Sequence, residues 1–176
     1  MEDADRVAAM AVVAAINNVN RLNRRRTPLR TVVWDVDGTL VPGAGWNALR
    51  RIGPQVARPV ALWLALTMLR RQGVMNVVVS RNMGFVFPHT HVRAEFELRS
   101  LGFDAVVQGF RDRAEPKTQM FGCHNGGCVL VDDHMLECEA AISSGATALK
   151  VPAALGVIDG VMQGRTTPLA AQSTFR

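Results

Sequence analysis

Four aspartates stand in two tight pairs, Asp35 with Asp37 and Asp132 with Asp133, and each pair follows a short apolar run, TVVW or CVLV. An apolar, β-branched run ending in a carboxylate suits a buried parallel strand whose end opens onto a crevice. Carboxylates that converge there repel one another unless a cation neutralises them. All the donors on offer are oxygens, so a hard ion such as Mg2+ is the natural choice. Ser80, after NVVV, adds a hydroxyl beside backbone amides, and Lys117 adds a compact positive charge. Both are groups that hold phosphate oxygens. Lys117 and Lys150 are the only lysines in an arginine-rich chain, which sets Lys117 apart.

The elements that must position these groups are legible in the pattern. Strands are predicted at residues 31–35, 76–80, 104–107, 128–132 and 146–151. Helices are predicted at residues 4–20, 59–72, 90–101 and 135–144, with Pro59 suited to a first helical turn and Gly73 and Gly102 to helix ends. The helix at 59–72 is apolar on most sides, and that at 90–101 is expected to turn Val92, Phe96 and Leu101 inward. Strands separated by helical spans imply parallel crossovers and helices on both faces of one sheet. The expected class is α/β, a Rossmann-like three-layer sandwich with a five-stranded parallel sheet. Ligands of such sheets lie at the carboxyl ends of the strands, where Asp35, Asp37, Ser80, Asp132 and Asp133 fall. Residues 41–57 and 81–91 read as loops that set specificity. Residues 1–30 read as a helical, arginine-rich extension, 31–152 as the main domain, and 153–176 as a weakly ordered tail.

Asp35-Val36-Asp37-Gly38-Thr39-Leu40, behind its apolar run, resembles the first motif of the haloacid dehalogenase-like (HAD) phosphatase superfamily. Ser80 resembles the second motif, Lys117 the third and Asp132-Asp133 the fourth, in the family's order across residues 31–152. The resemblance implies a Mg2+-dependent phosphomonoester hydrolase with Asp35 as nucleophile, forming an aspartyl-phosphate. Asp37 would act as acid and then base, its position being one where the family's ion-pumping ATPases carry threonine. It further implies a metal held by Asp35, the Asp37 carbonyl and Asp132, with Asp133 close by, and phosphoryl oxygens bound by Ser80 and Lys117. Arg81 and Asn82 are further candidates for phosphate contact. The short intervals between motifs leave little room for the family's lid, so a minimal or absent cap is expected. The Ser80-Arg81 and Asp132-Asp133 pairs look like those of capless magnesium-dependent phosphatases and polynucleotide 3′-phosphatase domains.

Other readings compete. The run Arg21, Arg24, Arg25, Arg26 and Arg30 is either a solvated segment or a nucleic-acid contact, and the latter would make the protein a nucleic-acid 3′-end phosphatase. It lacks the interleaved aromatics of a single-strand binder. A third reading is a binding or regulatory module that keeps the fold without useful turnover. Cys123, His124, Cys128, His134 and Cys138 do not fit a zinc-finger spacing, and Cys128 opens a core strand. His89 and His91 read as surface residues at a helix start.

With 176 residues and 48% of them apolar, the chain can bury one ordinary core; its net charge of +5 is compatible with an anionic partner but identifies none, since much of the excess sits in one stretch. Three cysteines are too few for a disulfide framework and favour a reducing, cytoplasmic setting. The apolar stretch at residues 7–16 falls short of the roughly 20 residues a bilayer span needs, and the acidic start suits no secretory leader.

Overall fold

The computed structural model of the chain describes residues 2–42, 56–81, 88–109, 115–123 and 126–172. In chain order the elements are α1 (Glu2–Arg21), β1 (Thr31–Trp34), α2 (Pro59–Arg71), β2 (Met75–Ser80), α3 (Pro88–Ser100), β3 (Ala105–Gln108), a 3₁₀ turn (Gln119–Phe121), β4 (Cys128–Asp132), α4 (Met135–Ser143), β5 (Thr147–Lys150), α5 (Gly156–Met162) and β6 (Thr167–Leu169).

One six-stranded sheet runs in the order β3-β2-β1-β4-β5-β6. The first five strands are parallel and β6 joins antiparallel, pairing Leu149 with Pro168. The sheet therefore has one strand more than the five expected. β6 is three residues long, contains a proline and has no alternating pattern, so sequence gave it no signal; as an edge strand it tolerates the missing N–H of Pro168. Within residues 153–172, expected to be part of a weakly ordered tail, the chain instead forms α5 and β6. Val157 and Ile158 of α5 are buried in the main core, and α5 leads directly into β6.

The central strands β1 and β4 lie side by side, with Trp34 level with Val131. Strand alternation sends Val32, Trp34, Val129 and Val131 to one face and Val33 and Leu130 to the other. The first face is the larger core, closed by α1, α2 and α5. Along α1 the buried stripe is Ala8, Ala9, Val12, Val13, Ile16 and Val19, a helical period, so this helix is built into the core of the sheet rather than standing apart from it. Asn17 Nδ2 also donates to Gln72 Oε1 at 3.2 Å, tying the end of α1 to the end of α2. On α2, Ala61, Leu62, Ala65, Leu66 and Leu69 face the sheet, while Val60 and Trp63 are about half exposed. Trp34 is anchored by donating to Asn76 Oδ1 at 3.2 Å and by an edge contact with Phe103.

Two side-chain expectations need correction. Phe96 is 71% exposed, because the buried stripe of α3 runs through Ala94 and Leu98 to the partly buried Leu101 and leaves position 96 opposite. Cys123 and Cys128 are joined as a disulfide with Cα atoms 5.5 Å apart, not left as thiols. Both lie in the second core, and the pairing removes the support that cysteine count lent to a reducing compartment. No helix among the described residues is long and apolar enough to cross a membrane. Residues 43–55, Asn82 and His124, and the side chains of His89, His91 and Val92, lie outside what is described.

If α1 belongs to the core, Ile16→Ala should cost about 2–5 kcal/mol in urea unfolding, as a buried large-to-small change does. A loss under about 0.5 kcal/mol would mark position 16 as surface.

Candidate active site

Because β1 and β4 are neighbours and parallel, Asp35 and Asp132 emerge side by side at the carboxyl edge of the sheet. Both are buried, at 7% and 0% exposure. A tight loop follows β1. The N–H groups of Thr39, Leu40 and Val41 all donate to the Val36 carbonyl, and Gly38 N donates back to Val41 O. Gly38 holds a φ of +82°, and a Cβ there would lie 2.5 Å from Asp133 Oδ2. Only glycine lets this loop and the Asp133 carboxylate approach so closely. The loop is also braced from outside, since Val157 N of α5 donates to Thr39 O at 2.8 Å.

Lys117 comes from the segment before the 3₁₀ turn and is 4% exposed. Its Nζ donates to Asp35 Oδ1 at 2.8 Å and to Asp132 Oδ2 at 2.7 Å. Thr39 Oγ1 donates to the other Asp35 oxygen at 3.2 Å, and His134 N donates to Asp132 Oδ1 at 2.9 Å. Every carboxylate oxygen of these two buried aspartates thus accepts a bond, as buried charge requires. Thr39 stands inside the motif quoted above, but a threonine in a turn gives no sequence signal of which oxygen it will reach.

Asp35, Asp132 and Asp133 form a cluster whose oxygens lie within 4.8 Å of one another. Asp37, Ser80 and Arg81 line the same depression, of about 490 Å³, with Lys117 and the first turn of α4. The structure therefore brings together the sequence candidates from four separate stretches, Asn82 lying outside the description. The guanidinium of Arg81 donates from Nη2 to Glu137 Oε2 at 3.0 Å and to the Glu115 carbonyl at 2.9 Å, and from Nε to Glu137 Oε1. Sequence gave no hint of that partner, which lies 56 residues away. The arginines at 21, 24, 25, 26 and 30 are exposed and precede the amino end of β1, at the opposite edge of the sheet from Asp35. They do not line this depression.

Electrostatics follow from burial. Loss of water raises the Asp35 carboxyl from the ordinary 3.8 to about 6, against the pull of Lys117 and with help from Asp133 and Asp37. Burial and the charge of Asp35 likewise raise Asp132 to about 6. Asp133 is raised too, first by burial and then by Asp132. For Lys117 burial works downward, but Asp35 and Asp132 more than offset it and hold the ammonium charged. Glu137 also meets a burial cost, yet its bonds from Arg81 leave it below its usual range.

Three carboxylates against one ammonium leave two negative charges in the cluster, three less one. An oxygen-only donor set with that balance fits a divalent, hard cation such as Mg2+. Asp35, Asp132 and Asp133 would hold it.

Two outcomes should follow. The metal-free folded state binds protons at Asp35 and Asp132 more tightly than the unfolded chain. That stabilisation is complete below about pH 4 and lost as pH rises to about 6. Mg2+ should therefore raise the melting temperature at neutral pH, by an amount equivalent to about 2.7 kcal/mol at 100 times its Kd, and progressively less below about pH 6. A thermal-shift series in pH and Mg2+ checks this, and a flat response would contradict it. Gly38→Ala forces a side chain into left-handed backbone and against Asp133; it should lose about 1–2 kcal/mol of stability and most of the Mg2+-induced shift. An unchanged Mg2+ shift in that variant would contradict the close approach.

The sequence matches no protein-family model and no curated protein. Among solved structures it is similar to the 3-deoxy-D-manno-octulosonate 8-phosphate phosphatase of Moraxella catarrhalis, determined with a magnesium ion, a phosphate ion and a KDO molecule. The match has 16% identity and a TM-score of 0.47, over 74% of this chain and 70% of that one. A likeness of that size concerns the path of the chain and carries no weight for the chemistry.

Proposed function

We propose that this protein is a divalent-cation-dependent phosphomonoester hydrolase of the HAD kind, working through an aspartyl-phosphate on Asp35. The observation that carries the reading is the Lys117 ammonium bonded at once to Asp35 and Asp132, with Asp133 in the same oxygen cluster. Three stretches of chain converge there at a cost in desolvated charge that mere stability does not explain.

Asp35 attacks phosphorus with one carboxylate oxygen. Lys117 keeps that carboxylate ionised and Thr39 fixes its rotation. Asp37, on the same loop and less buried, donates a proton to the departing oxygen and then takes one from the water that cleaves the aspartyl-phosphate. Ser80 and Lys117 supply donors to the phosphoryl oxygens, while the guanidinium of Arg81 is engaged with Glu137 and the Glu115 carbonyl. Asp35, Asp132 and Asp133 would hold the cation, which when bound would offset the repulsion between carboxylate and phosphoryl oxygens. The substrate class is a phosphomonoester reached through an open site with little or no cap. Residues 21–30 lie before the amino end of β1, away from the depression, and give the nucleic-acid version no support from geometry.

Asp35→Asn keeps the side-chain shape and removes the nucleophile. Mg2+-dependent hydrolysis of an aryl phosphate should fall by about 1,000-fold or more, with the melting curve still cooperative. Undiminished turnover would refute the role of Asp35, and a wild-type protein that binds Mg2+ but releases no phosphate from any monoester would favour the non-enzymatic module.

A further inference from the structure

Lys117 is held at its tip by two carboxylates, but among the described residues its backbone belongs to a stretch, 115–123, whose one regular element is a 3₁₀ turn. Where its Nζ lies depends on what fixes residues 115–118. Two contacts do so. On one side, Thr118 is fully buried and its hydroxyl meets the Ser144 hydroxyl at 3.2 Å. On the other, the Glu115 carbonyl accepts from Arg81 at 2.9 Å. The same guanidinium grips both carboxylate oxygens of Glu137, in the first turn of α4. Arg81 directly follows Ser80, and Glu137 follows Asp133 by four positions. The pair is shielded, with side chains 14% and 17% exposed.

We propose that Arg81, braced by Glu137, is a positioning residue that locks the Lys117 segment to the ends of β2 and β4. This rests on the hydrolase reading for its catalytic consequence, but not for its structural one. Arginine is suited to the task because a planar fork can bond a carboxylate with two nitrogens and still reach a carbonyl. A lysine keeps the charge and cannot make that set of bonds. Glu137 in turn fixes the fork's rotation, so removing its charge should loosen the Lys117 segment even with Arg81 intact.

Arg81→Lys and Glu137→Gln test this with little risk to folding. Hydrogen exchange is followed at the amides of residues 117–119 in the metal-free protein, with β1 amides as the folding control. kcat and KM for an aryl phosphate are measured at saturating Mg2+. Both variants should exchange faster at 117–119 alone, and both should lose kcat by about 10- to 100-fold with KM within about three-fold, as misplacement rather than lost binding does. Either of two results would overturn the proposal. One is Arg81→Lys raising KM at unchanged kcat and unchanged exchange, which makes Arg81 a substrate contact. The other is Glu137→Gln leaving both exchange and kcat at wild-type values. A wild-type protein without turnover sinks the hydrolase reading alone, and the exchange at 117–119 then decides the role of Arg81.

Discussion

The ammonium of Lys117 lies between two carboxylates that the fold has taken out of water, and most of the surrounding structure is arranged around that contact. A buried ion pair is a poor source of stability, because desolvation consumes much of the attraction. Here one cation faces more than one anion, so the imbalance is larger than in an ordinary pair. The cost is tolerable because each oxygen of Asp35 and Asp132 is bonded, and because the excess negative charge is of the size a divalent ion balances.

The fold supplies the convergence. Adjacent parallel strands β1 and β4 deliver Asp35 and Asp132 side by side, and β2 delivers Ser80 on the other flank of β1. The loop after β1 then folds back tightly enough for Gly38 to touch Asp133. Its outer side is propped by α5, a segment remote in sequence from every motif. Helix α1 has no group among the described residues lining the site, yet it packs against β4 and β5 and so helps set the platform on which Asp132 stands.

What could be read in the sequence was whatever a local pattern encodes. The five parallel strands and four helices fell within a residue or two of expectation, since β-branched runs and helical stripes are local signals. Asp35, Asp37, Ser80, Asp132 and Asp133 were legible as one constellation because strand ends in such a sheet share one edge, and Lys117 because a scarce lysine stood where the resemblance puts a phosphate-binding one. What escaped depends on contacts between distant residues. The pairing of β6, the bond from Thr39 to Asp35, the Cys123–Cys128 disulfide and the grip of Arg81 on Glu137 have no local signature. Phe96 was misplaced for another reason: a largely polar helix with few apolar residues gives a weak stripe, and burial fell instead to Ala94 and Leu98.

The central claim is that Asp35 is held as a charged acceptor for a phosphoryl group beside a divalent-cation site. Fluorine NMR of the full chain with beryllium fluoride, a mimic of an acyl-phosphate, addresses it directly. Protein-bound fluoride resonances that appear only with Mg2+ present, and vanish in Asp132→Asn, are the expected result. Bound signals that persist without Mg2+, or none at all in a protein that demonstrably binds the cation, would contradict the account.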